Sequence, residues 1–249
     1  MNAPFTTLRP RLRDVVRAET TKILTLPVTW LALYGTLVAN TLFAVLATAD
    51  GLRFGIGDDV APLSAFAVVM FAPVHVFLLV PLHAMGSEFR EGQLRTTLAA
   101  VPGRGRLALG KFLATGAVVV PAAFAVLLPG RVILGLAEDA GGGAVLADTG
   151  RWALAYTLVS VVALGSAALM RGTAAPLTVL VGVSVLAGGG FLQWPEGVRL
   201  LPDQAAMSLL GTPAFEVTEL APGVAAMVLV VWAAVSCAVY AGCLVLRDA

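Results

Sequence analysis

The sequence predicts an all-α integral membrane protein. Its expected architecture is six spanning helices in a single domain over 1–249, with an interfacial amphipathic helix before them. Three observations lead there. Of 249 residues, 59% are hydrophobic and only 12% charged, against about 45–50% and about 25% in soluble domains. The mean hydropathy is +0.91. The charges cluster in a few islands between long apolar runs. A water-soluble globule of this composition would expose apolar patches that soluble monomers avoid. A soluble enzyme, a disordered tail and a nucleic-acid binder are therefore excluded.

About 20 apolar residues cross a bilayer, and six stretches approach that length: 28–49, 61–85, 112–136, 152–170, 173–192 and 222–246. Before the first, Leu12, Val15, Val16, Glu19, Ile23 and Leu26 fall on one helical stripe, beside a face carrying Arg13, Arg17 and Lys22. That pattern suits a helix in the membrane interface. Pro27 marks the bend into the bilayer. The following apolar run is too long, and lacks the small-residue cleavage site, for a secretory signal. Pro62, Pro73 and Pro81 interrupt the second run, and Pro121, Pro129 and Arg131 the third. The turn at 170–173 is short, so the fourth and fifth spans pair antiparallel. Gly182 and the Gly188–Gly190 run in the fifth favour close helix packing, and the glycine run is also a place for the helix to break. The 193–221 segment is too apolar for a plain loop and too interrupted for a span. A short re-entrant or interfacial helix pair satisfies its backbone.

Counting Lys and Arg on alternate sides sets the orientation. With the N-terminus, the 86–111 connector, Arg171 and the C-terminus on one side, that side holds 12 basic residues and the other four. Both termini are expected to be cytoplasmic. The excess of Arg over Lys, 14 to two, in an Ala-, Val- and Gly-rich chain points to a bacterial source and hence the inner membrane.

Chemistry-bearing residues are few. Gly105, Gly110 and Lys111 match the opening of a phosphate loop, but Phe112 stands where a magnesium-binding Ser or Thr is required. No nucleotide site, catalytic residue or cofactor is expected in this chain. Cys237 and Cys243 are six apart and point away from each other on a helix. His75 and His83 lack a third ligand for a metal. With Arg131, they are candidates for lining a conduit or for helix contact. Snorkelling accounts for Arg131 without function; the alternative is contact with an anionic substrate or with Glu138 or Asp139. The 86–111 connector carries Phe89, Gln93, Leu94, Leu98 and Val101 at helical spacing before Pro102-Gly103. A charged amphipathic helix there suits docking of a soluble partner better than a solvated loop does.

The run Ser87 to Leu98, followed by Val101-Pro102, Arg104, Arg106 and Lys111, resembles the cytoplasmic connector of ABC-2 type permeases, the membrane subunits of bacterial ABC exporters. The resemblance covers about 25 residues in motif and the whole chain in layout. It implies a coupling helix that contacts a separate ATP-binding cassette ATPase through Glu88, Phe89, Arg90, Glu91, Gln93, Leu94, Arg95 and Leu98. It also implies ATP and Mg in that partner, and pairing with a second copy or a second permease in membrane lipid. No substrate residue is inherited. Two other readings remain: a non-transporting sensor or immunity subunit of the same architecture, and an intramembrane hydrolase, for which nearly all carboxylates lie in the wrong place.

Overall fold

In the structure, a computed structural model, residues 11–49, 53–56, 59–62, 67–89, 97 and 103–246 are described. Helix α1 (Leu12–Thr25) ends at an extended Leu26, and Pro27 opens α2 (Pro27–Thr48). A hairpin of β1 (Arg53–Ile56) and β2 (Asp59–Pro62) follows, antiparallel, with Phe54 opposite Ala61 and Gly55 opposite Val60. The next apolar stretch is broken into α3 (Ala67–Phe71), α4 (Pro73–Phe77) and α5 (Leu79–Gly86), then a 3-10 turn at Ser87–Phe89. Helices α6 (Arg104–Ala137) and α7 (Gly142–Met170) are long, and α8 (Ala174–Gly188) is short. Two small helices, α9 (Pro195–Val198) and α10 (Pro202–Leu209), and a 3-10 turn at Glu216–Thr218 precede α11 (Pro222–Leu246). This is a helical, multi-pass membrane protein. Five stretches are long and apolar enough to cross a bilayer: Pro27–Thr48, Val68–Phe89, Arg104–Ala137, Gly142–Met170 and Pro222–Leu244.

Four boundaries differ from expectation, each for a local reason. The second apolar run does not begin at Ala61, because 59–62 pairs as a strand. Proline breaks that run as expected. Pro73 has no N–H to continue the ladder, and a tighter bond from Ala72 N–H to the Val69 carbonyl closes the turn. The third run, by contrast, is one 34-residue helix through Pro121 and Pro129, and it starts at Arg104. Lys111 is therefore a helical residue with two turns before it. The fourth begins at Gly142, ten residues before Trp152, so most of the expected outer loop is helix. The fifth ends at Gly188, and Gly190 takes φ +73, a conformation glycine adopts without steric cost. The triple glycine thus stops the helix, while Gly188 also lies close against Val68.

Helix α7 is the hub, with α5, α6, α8, α10 and α11 packed around it. Its Tyr156 is fully buried, 5.3 Å from Phe77 and 5.9 Å from Phe71 between ring centroids, and donates to Asn40 Oδ1 on α2 at 3.4 Å. Gly165 lets α11 approach α7: a Cβ there would lie 2.6 Å from the Ser236 carbonyl oxygen. The outer helices are the opposite. On α2, Leu31 is 70% and Tyr34 69% exposed; on α11, Met227 is 60% exposed. Those faces need lipid or protein against them.

Candidate functional site: a buried charge cluster beside the connector

On α1, Val15, Glu19 and Ile23 recur at a spacing of four and are buried together. This stripe lies on the first turns of α6, where Gly110 leaves room for Val15. A carboxylate in an apolar stripe must find a cation or lose its charge. Lys111 supplies it. Its ammonium donates to Glu19 Oε2 at 2.5 Å, to Glu88 Oε1 at 3.2 Å and to the Ala84 carbonyl at 3.3 Å. All three of its protons are thereby used. Lys22 also pairs with Glu88 Oε1, and Thr97 of the connector donates to Glu88 Oε2 at 3.1 Å.

The result is two ammonium groups against two carboxylates, charge-balanced and largely cut off from water. The side chains of Lys111 and Glu88 are 0% exposed and that of Glu19 9%; only Lys22 reaches solvent, at 33%. Tyr240 of α11 donates to the Ala108 carbonyl one turn earlier on α6, at 2.9 Å. The cluster therefore joins α1, the end of α5, the start of α6 and the connector. Such a network is poorly suited to acid–base chemistry at its buried centre, since every proton of Lys111 is committed. What it does is hold four segments in fixed relation.

The expected site residues distribute unevenly around it. Glu88, expected on a docking face, points inward to Lys111 instead; its burial follows from the 3-10 turn at Ser87–Phe89. Phe89 is half-buried against the core. Arg90, Glu91, Gln93, Leu94, Arg95 and Leu98 lie outside the described residues. Arg13 and Arg17 are exposed on α1, away from Glu19, and Lys22 turns towards Glu88. His83 bonds back to the Leu79 carbonyl of its own helix at 3.0 Å, so it does not converge with His75. His75 Nε2 lies 3.1 Å from Ser184 Oγ on α8, a helix contact.

Arg131 makes a helix contact of another kind. Its Nη1 is 3.1 Å from Asp148 Oδ2, and its guanidinium lies 4.0 Å from the Trp152 ring centroid. The expected partners, Glu138 and Asp139, are not used. Because α7 starts at Gly142, Asp148 and Trp152 fall one turn apart on a helix facing Arg131. Among the described residues, no group of three or more His, Cys, Asp or Glu could hold a metal.

Sequence reasoning missed the cluster as a unit. The signal was present in Glu19, a carboxylate in the apolar stripe of α1. The partner was hidden because Lys111 read as a connector charge. Compared with known proteins, the chain matches no family model and no curated protein.

Proposed function

We propose that this chain is the permease subunit of an ABC-2 type exporter, driven by a separate ATPase docked on the 86–111 connector. The observation that carries this reading is the buried cluster. A force applied to the connector needs a stiff route into the spans, and Glu88 offers one. It follows the connector's entry, accepts a hydrogen bond from Thr97, and is locked to α6 through Lys111 and to α1 through Lys22. A loop with no mechanical role would have no use for so costly a desolvated network.

In this reading the cluster end is cytoplasmic, as the basic bias requires. Four long helices and the broken Val68–Phe89 stretch cross the membrane, and α8 makes a sixth, short crossing completed by the chain after Gly188. At 1.5 Å per residue its 15 residues reach about 22 Å of the roughly 30 Å core. The buried α10 is the re-entrant element between the last two crossings. ATP and Mg bind in the partner. Closure of two such partners moves the connectors and, through the cluster, tilts α1 and α6 together, which requires the partner to favour one arrangement over the other. The exposed apolar faces of α2 and α11 meet lipid and a second permease.

The test is purification of the tagged chain from its own host in mild detergent, with mass spectrometry of what accompanies it. A stoichiometric P-loop subunit with ATPase activity supports the proposal, and its absence sinks it. Leu94→Asp is then expected to release that subunit. It is a cleaner probe than Phe89→Asp, which would also disturb the core. A complex that hydrolyses ATP yet moves nothing would favour a sensor subunit.

A further inference from the structure

Apart from the cluster, one partly open pocket holds a buried carboxylate without an ion-pair partner among the described residues. It measures about 180 Å³ and lies between α3, α4, α7, α8, α10 and α11. Its walls are almost wholly apolar, with Phe71, Val162, Leu180 and Trp232 among them. Besides the Ser166 hydroxyl, which donates to the Val162 carbonyl of its own helix at 2.8 Å, three groups break that surface: His75, Ser184 and Asp203.

Two of the three are internally satisfied. The Ala72 carbonyl, 3.1 Å from His75 Nδ1, can only accept, so Nδ1 carries the proton. Nε2 is then the acceptor for the Ser184 hydroxyl at 3.1 Å. In this arrangement both ring nitrogens have protein partners, and a neutral imidazole satisfies them. Asp203 is different. It is 6% exposed, accepts one hydrogen bond, from Gln204 Nε2 at 3.0 Å, and has no ion pair among the described residues. Its place in the first turn of α10 eases the charge without neutralising it. Lys111 shows how this chain treats a buried carboxylate when it supplies the cation itself. At Asp203 none of the described residues supplies a cation within ion-pair distance, and the one titratable neighbour in the pocket is His75, whose ring nitrogens are taken up by Ala72 and Ser184.

We infer that the cavity binds a small organic cation, a tertiary or quaternary ammonium on an aromatic or aliphatic body, with Asp203 as its counter-ion. The walls decide against a bare metal ion, which needs about six oxygen ligands, where here only Asp203 and the hydroxyls of Ser184 and Ser166 line the space. They suit an ammonium whose charge is buried in methyl groups, held by a carboxylate and by aromatic rings such as those of Phe71 and Trp232. The volume is comparable to the roughly 150 Å³ apolar cavity that takes up benzene. The inference does not depend on the exporter reading, since it concerns binding by the chain alone.

Phenyltrimethylammonium is the probe, and tert-butylbenzene is its neutral isostere. Equilibrium dialysis uses the full chain in lipid nanodiscs, with empty nanodiscs as the blank. Saturable uptake of one cation per chain, not displaced by the isostere, is expected. Asp203→Asn is expected to weaken it by about tenfold or more, since it removes the charge and keeps the shape. Leu180→Trp, which fills the cavity from a half-buried position on another helix and leaves Asp203 intact, is expected to abolish it. The elution profile and melting of each variant show that it is folded, and the two variants fail independently. No saturable uptake by the wild-type chain, equal displacement by the isostere, or undiminished uptake by a folded Asp203→Asn would each overturn the inference.

Discussion

Lys111 and Arg131 stand on one helix, α6, and are held in opposite ways. Lys111 is wholly buried, spends every proton on protein acceptors, and belongs to a cluster drawing on α1, α5 and the connector. Arg131 retains 14% side-chain exposure, leans on Trp152 and shares Asp148 with Arg151. Twenty residues of helix separate them, about 30 Å, which is the hydrocarbon thickness of a bilayer. The two cations thus bracket the apolar span, and the chain has invested in them unequally. At one end charge is sealed into the packing, and at the other it stays at the rim, within reach of water. The contrast is one of packing: the sealed end ties several segments together through buried ion pairs, and the rim end rests on a partly exposed carboxylate and one ring.

The largest test of that contrast is Lys111→Met. It strands Glu19 and leaves Glu88 to Lys22 alone, and breaking a buried pair in this way costs about 3–5 kcal/mol. Denaturant or thermal unfolding in detergent reads the loss. Adding Glu19→Gln is expected to recover a large part of it, because the remaining Lys22–Glu88 pair is again balanced. A single variant costing below about 1 kcal/mol, the range of exposed pairs, would mean the cluster is solvated and the contrast is void.

Glycines give the next test, with a smaller effect. Where α5 ends, a Cβ on Gly86 would lie 2.7 Å from the Gly172 carbonyl oxygen, a backbone atom that cannot swing away. Gly86→Ala is expected to cost about 1–3 kcal/mol by overpacking. Gly182 on α8 has nothing within 4 Å of such a Cβ. Gly182→Ala is expected to be neutral or to stabilise by about 0.5–1 kcal/mol through helix propensity. Melting of the two variants side by side tests whether the close approach at Gly86 is as unyielding as its backbone contact implies.

Much of the fold was legible because burial in a membrane protein is written in run length. The amphipathic helix with Glu19 in its stripe, the bend at Pro27, the short turn at Arg171 and the helical pair within 193–221 all follow from local pattern. What pattern could not give was where apolar residues stop being helix. Ala61 and Pro62 are as apolar as the span they were assigned to, and only their pairing with 53–56 makes them strand. Gly141–Gly143 reads as loop but lies at the start of α7, which is why Asp148 rather than Glu138 meets Arg131. The site was legible in half. A carboxylate among apolar neighbours announces a missing cation, but its identity is set by tertiary contact. Lys111, 92 positions from Glu19, carries no local mark of burial.

The smallest effects should come from the rim. Asp148 is shared by Arg131 and Arg151, each at 3.1 Å, and is itself 31% exposed. An exposed pair is worth about 0.2–1 kcal/mol, so Asp148→Asn is expected to cost about 0.5 kcal/mol, and less in high salt. Arg131→Gln should cost somewhat more, about 1 kcal/mol, because it also removes the guanidinium from Trp152. Arg131→Lys separates the two contributions. An ammonium still pairs with Asp148 but lacks the planar face that lies over the ring, so this variant should fall between wild type and Arg131→Gln and keep the salt dependence. Melting temperatures at low and high salt read all three. If Asp148→Asn cost as much as Lys111→Met and were insensitive to salt, the rim would be as sealed as the cluster. Both ends of α6 would then be fixed, and tilting of this helix as a lever would need another origin than a difference between its ends.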